Sequence, residues 1–207
     1  MSETTNSSGL DETTVDPDPI DQFQIWLKDA VEAGITLPES MTVATTDVEG
    51  RPHARVLLLK QVDDNGFVFF TNYNSAKAQQ LEMSPYAALC FHWAKLERQV
   101  RVEGFVNKTS RAESIEYFRT RPRESQIGAW ASPQSDVIVS REILEKKTQE
   151  VEERFRSREV ECPDNWGGYR LAPERIEFWK GRIGRLHDRL LFEKLTDGAW
   201  AIKRLAP

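Results

Sequence analysis

The sequence predicts an α+β fold of mainly β character, an antiparallel barrel with helices at its periphery. Three observations indicate it: short apolar segments recur at regular spacing, hairpin-turn signals separate several of them, and helical segments interrupt the series. The 207 residues are 39% hydrophobic and 29% charged, which is ordinary for a globular chain large enough to bury a core.

The first 18 residues differ in composition from the rest. Residues 1–18 are rich in Ser, Thr, Asp and Glu and nearly free of large apolar side chains, so we expect a disordered acidic leader followed by a single domain over residues 19–207. The leader has no basic segment and no apolar run of the kind found in secretory signals. We therefore expect a cytoplasmic protein.

Charge and cysteine content exclude several classes of partner. Residues 1–50 carry eleven acidic residues and one lysine, so the remaining chain is mildly basic. That excess suits small anions and is too weak to predict nucleic-acid binding. No apolar run approaches the roughly 20 residues of a membrane span. Cys90 and Cys162 have neither disulfide nor metal-ligand spacing, so no metal site is expected.

The first regular element is a helix. Asp18 is a suitable N-cap, Pro19 fits the first turn, and apolar residues from Ile20 to Val31 recur at helical spacing. Gly34 is a suitable stop.

The elements that follow are predominantly strands. Strands are predicted at 41–46, 54–60, 67–71, 87–93, 99–106, 175–179, 189–195 and 200–205, and helices at 75–83, 110–121 and 140–157. Residues 48–52 and 63–66 are hairpin-turn signals, and Ser110 with Glu113 forms a capping box. Glycine-rich nucleotide-binding motifs are absent from the sequence.

Two segments in the first half carry candidate site residues. Arg55 and Lys60 flank an apolar strand, although a core strand with two cations extending to solvent explains them equally well. Ser75 is a suitable N-cap for a helix that carries Lys77, and free amides there are able to hold a phosphate. A simple capped helix is the alternative.

Two further clusters lie in the second half. Tyr117, Arg121 and Ser125 are spaced by four, which places them on one helix face unless Pro122 interrupts the helix; a solvated face is the alternative. In a strand, Arg185, His187 and Arg189 share one face, where an anionic ligand relieves their mutual repulsion.

These segments resemble the pyridoxamine/pyridoxine 5′-phosphate oxidase family over about residues 19–207. The resemblance rests on ARVLLLK (54–60), TNYNSAKAQQLE (71–82), LERQVRVEG (96–104), YFRTRPRESQIGAWAS (117–132), WGGYRL (166–171), IEFWKG (176–181), RLHDR (185–189) and IKRLAP (202–207), in unbroken order.

The resemblance implies a split β-barrel of the FMN-binding type that forms a homodimer with two FMN sites at the interface. The family oxidises pyridoxamine or pyridoxine 5′-phosphate to pyridoxal 5′-phosphate: FMN takes the hydride at N5, and O₂ reoxidises the flavin and becomes H₂O₂. The implied FMN-binding residues are Arg55, Val56, Leu57, Leu58, Leu59, Lys60, Phe70, Thr71, Ala76, Lys77, Gln99, Gln134, Ser135, Trp179 and Arg189. The implied substrate-binding residues are Lys60, Tyr117, Arg121, Ser125, Arg185 and His187, of which Arg185 and His187 are the expected catalytic residues.

The chain departs from the family pattern at two positions. Phe70 stands where the family usually has Tyr, and Ala76 where it often has Arg, so any side-chain contact of those groups with FMN is lost. Two other interpretations remain open: an oxidase of the same fold acting on another planar metabolite, such as a phenazine precursor, and a non-catalytic carrier of flavin or pyridoxal phosphate.

Overall fold

The computed structural model describes residues 9–207. Its strands are β1 (Ser40–Thr46), β2 (Pro52–Leu58), β3 (Gln61–Asp63), β4 (Gly66–Asn72), β5 (Tyr86–Trp93), β6 (Arg98–Lys108), β7 (Trp166–Lys180), β8 (Asp188–Lys194) and β9 (Trp200–Arg204). Its helices are α1 (Pro19–Glu32), α2 (Ala76–Met83), α3 (Arg111–Thr120), α4 (Arg123–Ala131) and α5 (Arg141–Arg154). Short 3-10 turns lie at Ala94–Leu96 and Ile183–Arg185.

The strands form one antiparallel sheet that curls back on itself. Its order is β2-β1-β5-β6-β7-β4-β3, and β8 and β9 extend it from the second half of β7. The two end strands, β2 and β3, are consecutive in the chain and joined by Leu59 and Lys60. The Leu59 amide donates to the Glu39 carbonyl and the Lys60 amide donates to the Val68 carbonyl, so this junction links both ends of the sheet. The expected mainly β barrel with peripheral helices is confirmed.

Helix α1 covers the main core inside the curled sheet. Its buried face presents Phe23 and Trp26, whose rings make edge contacts with Phe67 and Phe178 at centroid distances of 4.9 and 5.2 Å. The Asp18 carboxylate caps the helix by accepting from the Ile20 amide at 2.7 Å, as predicted, and the helix ends two residues before Gly34, which has φ +69°. Burial of these aromatic side chains fixes the helix on the sheet.

A smaller core lies beneath the helices of the second half. Phe118, Ile127, Phe155 and Trp166 are buried together where α3, α4 and α5 meet the start of β7. The predicted capping box is present: the Ser110 hydroxyl accepts from the Glu113 amide, and the Glu113 carboxylate accepts from the Ser110 amide. This second core holds α3 and α4 against the sheet.

Three elements lie outside the sequence-based prediction. Strand β3 is only three residues long, α4 follows directly after Pro122, and β7 begins nine residues before the predicted strand. The early part of β7 contains Gly167 and Gly168, which carry no side chain to signal a strand.

The structure describes the second half of the predicted leader, residues 9–18. The prediction of disorder for residues 1–8 lies outside the described residues. Beyond them, Leu10 is buried in the main core, and Arg204 donates to the Leu10 carbonyl at 3.1 Å and to the Glu12 carboxylate at 2.9 Å. The acidic composition of residues 9–18 thus provides ion-pair partners for β9.

Across residues 9–207, none of the helices combines the length and apolar character needed to cross a membrane.

Candidate active site

A cleft of about 490 Å³ opens between the β2–β3 junction, β4 and the α3–α4 pair. We call it the cleft below. Its lining comprises Val56, Leu57, Leu58, Lys60, Phe70, Thr71, Asn72, Tyr117, Arg121, Ser125, Gly128, Ala129, Ser132, Gln134 and Trp166. Ten of these belong to the predicted cofactor and substrate residues, although they come from distant segments of the chain.

Stacked aromatic rings form one side of the cleft. Phe70 lies face to face with Tyr117 at 4.0 Å and with Trp166 at 5.4 Å between ring centroids. Phe70 is thus part of this aromatic stack. Flat rings in this arrangement offer a surface against which another planar group can pack.

The guanidinium of Arg121 packs against these aromatic rings. Its guanidinium carbon lies 4.6 Å from the centroid of Trp166, and its Nη1 atom is buried without a hydrogen-bond partner among the described residues. Burial lowers the pKa of Arg121. A buried guanidinium nitrogen without a partner is costly, and an anion in the cleft would supply one.

The break between α3 and α4 places Arg121 there. Helix α3 ends at Thr120, Arg121 has extended backbone angles, and α4 starts at Arg123 after Pro122. Tyr117, Arg121 and Ser125 nevertheless all line the cleft. The chain therefore brings the three together across a helix break and not along one continuous helix face.

Lys77 lies beside the cleft and is nearly buried. Its Nζ donates to the Thr71 hydroxyl at 3.0 Å, the Ser75 hydroxyl at 3.1 Å and the Gln134 side-chain oxygen at 3.1 Å. Burial, and then the positive charge of Arg55, lower the pKa of Lys77 to about 8. Among the described residues this ammonium has only neutral oxygen partners, so an anion placed there gains both charge and hydrogen bonds.

Ser75 has a different role from the one predicted. It precedes α2, but its hydroxyl donates to the Asn72 carbonyl at 2.7 Å and accepts from Lys77, and it makes no capping bond to the helix. The hydroxyl orients the lysine instead.

Arg55 lies on the inner side of β2 and does not line the cleft. It donates to the Val43 carbonyl at 3.1 Å, the Thr45 hydroxyl at 2.6 Å and the Gln80 side-chain oxygen at 3.0 Å. Burial lowers the pKa of Arg55. Its positive charge affects the site by lowering the pKa of Lys77.

Four other predicted residues form a separate group, which we call the second cluster: Gln99, Trp179, His187 and Arg189. Gln99 pairs with Trp179, and Trp179 pairs with Arg189, across β6, β7 and β8. The Trp179 and His187 rings lie 4.6 Å apart. None of the four lines the cleft of the same chain.

The prediction that Arg185, His187 and Arg189 share a strand face is wrong. Arg185 ends a 3-10 turn in a left-handed conformation with φ +61°, and β8 begins only at Asp188. A turn containing Gly184 with φ +71° lies where the shared face would need a strand, whereas the strand predicted at 189–195 is present as β8. Arg185 is exposed in this turn, while His187 lies directly before the strand.

The remaining predicted cofactor residues differ in exposure. Leu59 is buried at the β2–β3 junction, Ala76 is exposed at the start of α2, and Ser135 is exposed beside Gln134 with φ +78°.

Several cleft residues were not predicted as site residues. Asn72, Gly128, Ala129, Ser132 and Trp166 line it as well. The small side chains of Gly128 and Ala129 on α4 leave the volume open. Trp166 is an aromatic residue beside two glycines, but its stacking against Phe70 depends on the pairing of β4 with β7, in which Trp166 lies opposite Asn72.

Comparison with known proteins identifies the family. Residues 27–155 match the family model described as pyridoxamine 5′-phosphate oxidase, and residues 166–207 match the pyridoxine 5′-phosphate oxidase C-terminal dimerisation region. A pyridoxine/pyridoxamine 5′-phosphate oxidase of Cyanothece sp. is 54% identical over 198 residues, covering 96% of this chain and 92% of the relative. A pyridoxine/pyridoxamine 5′-phosphate oxidase of Pseudomonas putida is 55% identical over 201 residues, covering 96% of this chain and 93% of the relative.

Solved structures agree on the fold. PhzG from Burkholderia lata, in complex with tetrahydrophenazine-1-carboxylic acid, superposes with a TM-score of 0.91 at 27% identity and covers 98% of each chain. A pyridoxamine 5′-phosphate oxidase-related, FMN-binding protein from Nostoc punctiforme has the same fold, with a TM-score of 0.72 at 18% identity over 89% of this chain and 97% of its own. The C-terminal dimerisation region supports the expected homodimer. The chain therefore belongs to the pyridoxine/pyridoxamine 5′-phosphate oxidase family.

Proposed function

We propose that the protein is an FMN-dependent oxidase that converts pyridoxamine or pyridoxine 5′-phosphate to pyridoxal 5′-phosphate and reduces O₂ to H₂O₂. One observation carries the proposal. Lys60, Tyr117, Arg121 and Ser125 line a single cleft, in which Arg121 has a buried nitrogen without a partner among the described residues. These side chains supply donors and positive charge suited to a phosphate ester.

The residues present suit FMN as the resident cofactor. Lys77 is held by neutral oxygens beside the cleft and, with Arg55 nearby, forms a second cationic position for the phosphate of FMN. Val56, Leu57 and Leu58 present an apolar strand on which a flavin ring can lie. When bound, FMN accepts a hydride from the substrate and passes the electrons to O₂.

Substrate binding begins at the phosphate. Arg121 and Ser125 hold the phosphate at the helix break, while Lys60 approaches it from the β2–β3 junction. Because this contact is remote from the reacting carbon, its binding energy serves to orient the substrate ring. The alcohol becomes the aldehyde by losing a hydride and a proton. The amine loses the same groups, and water then releases ammonia and leaves the aldehyde.

The sheet register supports a contribution of the partner subunit to the site. A row of directly paired residues crosses five neighbouring strands, β2, β1, β5, β6 and β7. Its members, in that order, are Val56, Thr42, Cys90, Arg101 and Glu177. Because paired residues project to the same side, all five lie on one face of the sheet. Trp179 and Gln99 lie two positions from Glu177 and Arg101, and therefore on that same face. We call it the outer face. The cleft is at one end of it and the second cluster at the other.

If two chains pack through their outer faces about a two-fold axis, the cleft of one chain meets the second cluster of the other. In an isologous dimer whose two-fold axis crosses this face between its two ends, at right angles to the line that joins them, each end meets the opposite end of the partner. Exposed apolar side chains on this face, Val56, Tyr86 and Phe105, suit such burial. Each site then consists of the cleft of one chain and the second cluster of the other, together with Arg185 of that other chain.

His187 has a defined hydrogen-bonding state. Its Nδ1 atom accepts from the Arg182 backbone amide at 3.1 Å. In a neutral ring the proton is then on Nε2, which can donate to the substrate but not accept from it. We assign His187 to hydrogen bonding with the substrate, and Arg185 to covering and orienting the substrate ring.

Adding pyridoxamine 5′-phosphate to the FMN-loaded protein under air tests the proposal. We expect equal amounts of aldehyde and peroxide, bleaching of the flavin band near 450 nm when O₂ is absent, and a much higher KM for pyridoxamine without its phosphate. A yellow protein that does not oxidise this substrate but does oxidise tetrahydrophenazine-1-carboxylic acid would favour the other oxidase class. A protein that binds FMN or pyridoxal phosphate and yields no peroxide with either substrate would be a carrier.

A further inference from the structure

Glu177 is a nearly buried carboxylate outside the cleft. Its side chain is 9% exposed on the outer face of β7. One carboxylate oxygen, Oε1, accepts from Arg189 Nε at 2.8 Å, and the other, Oε2, accepts from Arg101 Nη1 at 3.1 Å. Both oxygens are therefore bonded to charged donors, which fixes the orientation of the carboxylate.

Arg189 is held at a second point as well. Its Nη1 donates to the carbonyl of Ala206 at 2.9 Å, and its own carbonyl accepts from the Leu205 amide at 2.9 Å. Its remaining terminal nitrogen, Nη2, makes no hydrogen bond to any residue in the range 9–207. Two of the three guanidinium nitrogens are thus occupied by the protein, and one is left for a ligand.

We propose that Glu177 is a positioning residue for the flavin site, fixing the Arg189 guanidinium so that Nη2 is directed at the FMN held in the partner's cleft. This inference rests on the proposed function. A free arginine side chain has many rotamers, and ordering it on binding reduces affinity. Glu177 restricts those rotamers before FMN arrives.

A purely structural role is the competing explanation. Glu177 also belongs to a series of ion pairs on the outer face, in which Arg101 contacts Glu103 and Arg175 contacts Glu103 and Glu193. If Glu177 only balances charge in that series, removing it affects folding or dimerisation. The size of that effect is then the same whether or not Arg189 is present. The two explanations predict different results in a double-mutant cycle.

The first measurement compares FMN affinity of the apoprotein with that of Glu177→Gln, which keeps the side-chain shape and removes the charge. We expect FMN to dissociate at least about tenfold more readily, since hydrogen bonds to charged groups are strong. Glu193→Gln is the matched control, because Glu193 lies on the same face and pairs with Lys203 and Arg175 but not with Arg189. Its FMN affinity should stay within about twofold of wild type.

The second measurement repeats the substitution in an Arg189→Gln background. If Glu177 acts through Arg189, the double variant binds FMN no more weakly than Arg189→Gln alone. Additive losses, or wild-type affinity in Glu177→Gln, would overturn the proposal. Should Glu177→Gln not fold as a dimer, Glu177→Asp keeps the charge at a shorter reach and enters the same cycle. A wild-type protein that binds no FMN would instead contradict the proposed function itself.

Discussion

The ammonium of Lys77 lies 3.1 Å from the side-chain oxygen of Gln134, 57 positions further along the chain. The Thr71 hydroxyl closes a triangle with them, accepting from Lys77 at 3.0 Å and donating to Gln134 at 3.0 Å. The triangle joins β4, α2 and the segment after α4 beside the cleft. It contains a cation and no carboxylate, which is the arrangement an anionic ligand requires.

The first prediction concerns the pH dependence of FMN binding. The pKa of Lys77, lowered to about 8, means that the ammonium is charged in the apoprotein below pH 8 and progressively neutral above it. A bound phosphate raises this pKa again, so FMN binding takes up a proton at alkaline pH. We expect the FMN dissociation constant to rise with pH above about 8, by up to about tenfold per unit.

Lys77→Met should bind FMN weakly at every pH and lose this alkaline dependence, as measured by flavin fluorescence titration between pH 7 and 10. Lys28→Met is the control, because Lys28 is an exposed lysine on α1. A pH profile of Lys77→Met that matches wild type would exclude Lys77 as the titrating group.

The second prediction concerns the substrate phosphate. Arg121→Gln removes the buried guanidinium and should raise the KM for pyridoxamine 5′-phosphate at least about tenfold, because a charged hydrogen-bond donor is lost. The KM for pyridoxamine lacking the phosphate should change little. Arg119→Gln is the control, because Arg119 is an exposed arginine at the end of α3, two residues before Arg121. An equal effect of Arg121→Gln on both substrates would argue against a phosphate contact.

The third prediction concerns the contact between residues 9–18 and β9. Arg204 also donates to the Asp188 carboxylate at 3.2 Å, in addition to its bonds with Leu10 and Glu12. Arg204→Gln removes all of these bonds and should therefore lower the free energy of unfolding more than loss of a single exposed ion pair does. Lys203→Gln breaks only an exposed pair with Glu193 and should lower the free energy of unfolding less than Arg204→Gln does. Equal denaturation midpoints for the two variants would show that the leader contact contributes nothing.

The fourth prediction concerns Gly167 in β7. A Cβ atom there would lie 2.1 Å from the Tyr73 hydroxyl and 2.7 Å from the Ser114 hydroxyl, so Gly167→Ala should lower stability by about 1–3 kcal/mol. Gly128 in α4 has no atom within 4 Å of such a Cβ, so Gly128→Ala should raise stability by up to about 1 kcal/mol. Thermal unfolding of both variants checks the pair. A stable Gly167→Ala protein would mean that the β7 backbone can move away from Tyr73.

Local patterns were sufficient for most of the fold. Alternating apolar residues located the strands, and the caps at Asp18 and Ser110 located two helix starts. Apolar alternation does not locate a strand that depends on pairing with residues distant in the chain. Residues 166–171 carry two glycines and form a strand by pairing with β4 and, from Tyr169 onward, with β6.

The site could be predicted as a set of residues but not as an arrangement. Motifs identified Lys60, Tyr117 and Arg121 together, and the structure places all three on the cleft. The separation of Trp179 and Arg189 from that cleft depends on strand register and on which face of the sheet each residue occupies. Short-range spacing carries no information about either.

The central claim is that each site combines the cleft of one chain with the second cluster of its partner. Two variants test it, Lys77→Met for the cleft and Arg189→Gln for the second cluster, assayed at an FMN concentration where either homodimer is largely free of flavin. The hybrid dimer, isolated with two affinity tags, contains one fully native site if the sites are shared between chains. We predict about half of the wild-type oxidase activity per hybrid dimer. A hybrid as inactive as both parents would contradict the claim, because it would place the whole site within a single chain.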